Sequence, residues 1–188
     1  MRNKKRGGWI ILLVAVLLLT VGRPFLKKGL DLASKLIYPL SYEETVMAYA
    51  KQFDVPPSMI YAVIHTESHF DHNAVSKADA KGLMQLTDNT CEWARSLLGE
   101  KEGDVFDPET NIRYGTKILS VLMGQFAEQK TVLAAYNAGI GNVRKWLSNT
   151  DYSADGKRLH TIPFAETREY VVRVQKAQKR YQELYDIP

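Results

Sequence analysis

One carboxylate stands where acids are seldom placed. Glu67 closes a stretch in which residues 59–64, Met-Ile-Tyr-Ala-Val-Ile, are all apolar. The spacing predicts a helix that carries Glu67 on the face of Val63 and Ile64 and near Ile60 one turn earlier. Burial disfavours the charged form of a carboxyl and raises its pKa, so Glu67 is expected to stay protonated near neutral pH and to donate a proton. His65 and His69, four residues apart with His72 close behind, offer a competing chemistry, metal binding. A zinc-protease pattern needs its Glu directly after the first His, where Thr66 stands, and Glu67 points away from the His pair by about half a turn. No metal and no cofactor are therefore expected.

The elements that must position Glu67 read as helices. Ser41, Tyr42, Glu43 and Glu44 form a capping-box pattern ahead of Val46, Tyr49, Ala50 and Phe53 at helical spacing. Pro56 and Pro57 end that helix and start the one bearing Glu67. A short segment at 82–86 follows, then a helix opened by Thr87 and running to about Leu98. Asp107 and Pro108 open a helix to about Ala127 with Ile112, Ile118, Leu119, Leu122 and Phe126 on its buried side. Further helices are predicted over 131–138, 142–147 and 165–185. No alternating strand pattern and no internal repeat appear, so the fold class is mainly α. Cys91, the single cysteine, cannot form an internal disulfide and reads as a small apolar core residue.

Charge divides the chain unevenly. Of a net charge of +4, residues 1–28 hold seven cations (Arg2, Lys4, Lys5, Arg6, Arg23, Lys27, Lys28) and no acid, which leaves −3 on residues 29–188. The folded part is thus not basic, and nucleic acid is not an expected partner. The four leading cations precede an uncharged apolar run at 9–21 that ends at Gly22, Arg23 and Pro24. This is the layout of a secretion signal or an N-terminal membrane anchor with the basic end retained inside. Thr20-Val21-Gly22 followed by Arg23-Pro24 fits a cleavage site poorly, and although the run is shorter than the roughly 20 residues of a typical spanning helix, thinning and snorkelling accommodate that. The expected organisation is an anchor or signal over 1–24, a juxtamembrane connector over 25–40 with Leu30, Leu32, Leu36 and Ile37 among lysines, and an exported domain over 41–188. An uncleaved single-pass anchor facing the domain toward the outside is favoured over secretion after cleavage.

Four short segments line up in order: Glu67-Ser68, Gly82-Leu83-Met84-Gln85, Ala135-Tyr136-Asn137-Ala138-Gly139, and residues 162–170 containing Glu166 and Tyr170. Together they resemble the catalytic domain of the soluble-type lytic transglycosylases, glycoside hydrolase family 23, whose fold is related to goose-type lysozyme. The resemblance spans about Tyr42 to Tyr181. It implies a lysozyme-like helical domain acting on peptidoglycan glycan strands, with Glu67 as the catalytic acid and then base, and 1,6-anhydromuramyl ends as product. It also implies substrate-binding roles for Ser68, Gly82, Met84, Gln85, Tyr136, Asn137, Glu166 and Tyr170. A single tuned Glu is enough for this chemistry, because the 2-acetamido group of a muramyl unit can stabilise the oxocarbenium-like centre where other glycosidases use a second carboxylate. Cell-wall remodelling or local wall opening beside an envelope machinery is the implied setting. A hydrolytic muramidase and a non-catalytic wall-binding scaffold remain alternatives.

Overall fold

The computed structural model describes residues 23–188 of the 188-residue chain, in two compact units divided at Pro39 and Leu40. The first unit contributes one described helix, α1 (Arg23–Ile37), on which Leu30, Leu32, Leu36 and Ile37 are exposed. The apolar run at 9–21 lies outside the described residues. Among the described residues no helix is long and apolar enough to cross a membrane.

The second unit is built of α2 (Glu43–Phe53), α3 (Pro57–Glu67), α4 (Asp88–Leu98), α5 (Pro108–Gln125), α6 (Gln129–Ala138), α7 (Ile140–Leu147) and α8 (Ala165–Tyr185). Only isolated β-bridges, Val75 to Lys81 and Lys81 to Leu86, occur among the described residues. The mainly α expectation holds. Thr87 and Asp107 accept from the backbone N–H of Thr90 and Thr110 and so cap α4 and α5, as their types predict. The capping box at α2 does not form: Tyr42 sits at the N-cap with φ 60°, without a side-chain cap bond. Helices α6 and α7 each begin two residues before the expected start, at Gln129 and Ile140.

Helix α3 is the centre of this unit. Pro57 pre-sets its first turn, and every residue from Pro57 to Ile64 is buried. A helix apolar all round can be stable only when other elements surround it. Helix α8 packs most extensively against it, α2 also packs on it, and α8 in turn packs on α6. Ser58 is the polar exception on α3, and it is satisfied: Gln178 of α8 donates to its Oγ at 3.2 Å, while Gln129 of α6 donates to the Gln178 carbonyl oxygen. This buried chain ties α3, α6 and α8 together, since losing any member would orphan its neighbour.

The connection between α3 and α4 has no ladder of its own. It turns by left-handed residues, His69, Phe70, Asp79, Gly82 and Gln85. Its shape is held by Asn111 of α5, which is 1% exposed. The Asn111 Oδ1 accepts from Met84 N–H at 2.8 Å, and its Nδ2 donates to the carbonyls of Lys81 (3.1 Å) and Val105 (2.8 Å). Gly82 has φ +73°, and a Cβ there would lie 2.2 Å from Asn111 Nδ2, so glycine is required by the clamp itself. Gly115 makes the same kind of room on α5, where a Cβ would meet Met84 Sδ at 2.3 Å. Cys91 is buried beside these elements as a free thiol.

Asn111→Ala leaves Met84 N–H and Val105 O without their partners, whereas Lys81 O keeps the Leu86 N–H, and the expected cost is about 2 kcal/mol. A urea titration reads it as a lower midpoint at unchanged slope; a loss below about 1 kcal/mol would show that the loop does not depend on the clamp.

Candidate active site

Glu67 is the last residue of α3, so a helix buried on all sides delivers one polar head at its exit. That head opens into a cavity of about 510 Å³, within the usual range for ligand sites. Ser68 follows as the C-cap. Its hydroxyl donates to Leu83 O at 2.8 Å and lies 3.3 Å from Ile64 O, which pins the end of α3 to the 82–86 segment. Ser68 thus aims the turn after Glu67 and does not line the cavity.

The 82–86 segment divides its labour differently from the sequence expectation. Gln85 lines the cavity, and its Nε2 donates to Ala74 O (3.1 Å) and Gly82 O (3.0 Å), which leaves the amide oxygen as the free end. Gly82 is buried under Asn111, so its freedom serves loop packing and not close approach of a ligand to the backbone. Met84 is likewise a correction: its side chain is fully buried against Gly115 and offers no cleft surface. Its contribution is a carbonyl, which accepts from the Tyr136 hydroxyl at 3.0 Å.

Helix α6 brings Tyr136 and Asn137 to the cavity, and Gly139, with φ 85°, ends it. Thr167 of α8 donates through Oγ1 to Asn137 Oδ1 at 2.8 Å. The Asn137 carbonyl end is therefore taken, and its Nδ2 donors are left for the cavity that the residue lines. Glu166, exposed in the first turn of α8, lines the cavity together with Glu67. Tyr170, four residues on and 1% exposed, lies against the carboxyl of Glu67 from the protein side.

These surroundings set the protonation states. Burial pushes the Glu67 carboxyl up from 4.5 to about 7, against the lowering effect of the Tyr170 hydroxyl and of Arg173, and with a further raise from the Glu166 charge. The Tyr170 hydroxyl is buried without a hydrogen bond of standard geometry, yet it stands close enough to Glu67 to favour the carboxylate. Burial and the Glu67 charge hold Tyr136 and Tyr170 well above the ordinary tyrosine range, so both remain O–H donors. Such an arrangement can hold a proton on Glu67 near neutral pH and release it, with a phenol beside it that favours the carboxylate and an uneven polar wall alongside. Arg173 escaped the sequence reading; its spacing from Glu166 and Tyr170 on one face of α8 was the available signal. Trp93 and Asn89 of α4, which also line the cavity, carried no such signal because nothing local links α4 to Glu67.

A family model for the transglycosylase SLT domain matches residues 44–159, which includes Glu67 through Asn137 but stops short of Glu166 and Tyr170. The chain is similar to the soluble lytic murein transglycosylase of Escherichia coli (strain K12), 35% identical over 143 residues that make up 73% of this chain and 22% of that protein. It is similar also to membrane-bound lytic murein transglycosylase C of Yersinia pestis (strain Pestoides F), 33% identical over 165 residues, 74% of this chain and 46% of that protein. An X-ray structure of an inactive mutant of lytic transglycosylase Slt from Pseudomonas aeruginosa matches with a TM-score of 0.68 at 35% identity, covering 78% of this chain and 25% of that one. A complex of the 70-kDa soluble lytic transglycosylase with bulgecin A matches with a TM-score of 0.68 at 30% identity over the same shares. The chain therefore spans less than half the length of these relatives.

The raised carboxyl has a signature in stability. Glu67 binds its proton more tightly in the folded chain than at the ordinary value of 4.5, so the folded state holds extra proton between about pH 4.5 and 7 and stability falls as pH rises through that window. Glu67→Gln is expected to be more stable than the wild type at pH 8, by up to about 3 kcal/mol, and close to it at pH 4. Thermal melts at the two pH values test this, and an equal gap at both would show an ordinary carboxyl.

Proposed function

Because the chain belongs to the transglycosylase SLT domain family, we propose that it is a peptidoglycan lytic transglycosylase that cleaves the β-1,4 bond between N-acetylmuramic acid and N-acetylglucosamine. The observation that carries this reading is the Glu67 carboxyl, raised to about 7 at the wall of a cavity lined by Gln85, Tyr136, Asn137 and Glu166.

Glu67 donates its proton to the glycosidic oxygen as the bond from that oxygen to the muramyl anomeric carbon breaks. The 2-acetamido group of the same sugar steadies the oxocarbenium-like centre, so a second protein carboxylate is not needed as nucleophile. The Tyr170 hydroxyl and Arg173 favour the Glu67 carboxylate that now exists. That carboxylate takes the proton of the muramyl 6-hydroxyl while its oxygen bonds to the anomeric carbon. The acid is thereby restored, no water is consumed, and a 1,6-anhydromuramyl end is left, which makes the enzyme a lyase. Asn137 Nδ2 and the Gln85 amide oxygen supply a donor and an acceptor to the sugar, with Tyr136 giving an aromatic edge. Glu166, exposed and charged, suits a hydroxyl or amide of the substrate.

The same proposal places the unit over 41–188 on the wall side of the cell membrane, held by the N-terminal segment. Its support is the order of cations, apolar run and connector in residues 1–40. Held there, the domain reaches glycan strands near the membrane, a position suited to wall remodelling or to opening the wall beside an envelope machinery.

Mass spectrometry of digested peptidoglycan tests the reaction. Anhydromuramyl ends are expected; reducing muramyl ends would make the protein a hydrolytic muramidase, and no released product would make it a scaffold. Glu67→Gln is expected to lower the rate by roughly 10³-fold while the protein still pellets with the wall. In the wild type, kcat/KM should fall as pH rises through about 7, where the acid ionises. Tyr170→Phe removes a group that lowers the Glu67 value, so that fall should move to higher pH; a fall at unchanged pH would separate Tyr170 from the acid.

A further inference from the structure

The cavity extends beyond the neighbourhood of the acid. Helix α4 lines it through Asn89, Thr90 and Trp93, which share one face at i, i+1 and i+4, while Cys91 and Ala94 point into the core. Trp93 keeps part of its ring accessible on the cavity wall. Trp146 shows the contrasting use of the residue: it is buried and packed edge-on against Phe164 at 4.9 Å. Small side chains of the preceding loop, Ser76, Ala78 and Ala80, line the same cavity and leave room beside the ring. That loop is tied to the start of α4, because Lys81 Nζ reaches Asp88 at 2.8 Å and Asp79 at 3.2 Å. The residues of this side that line the cavity carry no charge, whereas Glu67 and Glu166 bring the acids elsewhere on the wall.

We propose that Trp93, with Asn89 and Thr90, forms a subsite for an uncharged N-acetylhexosamine ring of the glycan strand, one that sets how the strand lies across the cleft. The inference rests on the glycan reading above. A pyranose ring presents C–H groups on its face and hydroxyl or acetamido groups on its rim. The indole face is electron-rich and apolar, so it takes the C–H face. The Asn89 amide and the Thr90 hydroxyl, one residue apart on the same side, meet the rim. Thr90 Oγ1 lies 2.9 Å from Thr87 Oγ1, which orients the hydroxyl and still leaves bonding capacity for a ligand. No lysine or arginine lines the cavity to pair with the muramyl carboxylate, and Asp79 and Asp88 lie nearby, which favours an N-acetylglucosamine unit over the acid-bearing muramyl unit.

The test uses the full chain carrying Glu67→Gln, so that nothing is turned over, titrated with tri-N-acetylchitotriose, which is uncharged and free of peptide. The tryptophans of the chain are Trp9, Trp93 and Trp146. A saturable change in tryptophan emission is expected, and Trp93→Phe should abolish it. Calorimetry should show affinity about tenfold weaker for Trp93→Ala, with Trp93→Phe in between. Unchanged affinity in Trp93→Ala, or no binding of chitotriose at all, overturns the subsite. Should Trp93→Ala melt early, the emission and affinity of Trp93→Phe decide alone. Wild-type digestion run in parallel separates the two readings: anhydromuramyl release without Trp93-dependent binding sinks the subsite only, while absence of release sinks the lytic reading.

Discussion

Taking a carboxyl out of water disfavours its charged form, and the second unit is arranged so that Glu67 meets that condition without being sealed off. Helix α3 is buried on every side, which fixes its position and leaves its last residue no freedom to swing into bulk solvent. The cavity begins where the helix stops. Two opposing influences then set the balance. Burial and the Glu166 charge raise the proton affinity, and the Tyr170 hydroxyl and Arg173 lower it. A group held between such influences can both release and recover a proton near neutral pH, which a fully exposed or a fully enclosed carboxyl could not do.

The walls of the cavity depend on a second constraint, that irregular backbone must find its hydrogen bonds somewhere. The segment after α3 bonds to itself at its turns, and a single amide on α5 ties those turns to the helices. Asn111 fixes Met84, Met84 presents its carbonyl to Tyr136, and Ser68 holds Leu83 against the end of α3. Residues that line the cavity and residues that shape it therefore lie side by side in one short segment. Gln85 and Leu86 line the cavity while their neighbour Met84 is fully buried and does not.

That close mixture explains how far the sequence alone could be read. Apolar spacing placed α3, α4, α5 and α8 well, helped by Pro57 at the start of α3 and by capping oxygens at α4 and α5, because these are local properties. The expected cap of α2 does not form, since a left-handed Tyr42 takes the cap position without a side-chain bond. The motif Gly82-Leu83-Met84-Gln85 was visible as a unit, but which of its members faces outward was not. Only Asn111, about thirty residues later, makes Gly82 and Met84 structural. Trp93 was hidden for the same reason, since it lines the cavity through packing between elements distant in sequence, whereas Arg173 had a local signal in its spacing from Glu166 and Tyr170.

The buried chain from Ser58 through Gln178 to Gln129 bears on how such a cleft can change. It joins the three helices that carry Glu67, the Tyr136–Asn137 pair and the Glu166–Tyr170 pair. Each link is a directed donor and acceptor, so rotating any one of these helices by a residue would break the thread. Helix α4 and the loops lie outside this lock, and an engineer wishing to reshape the groove has most latitude there.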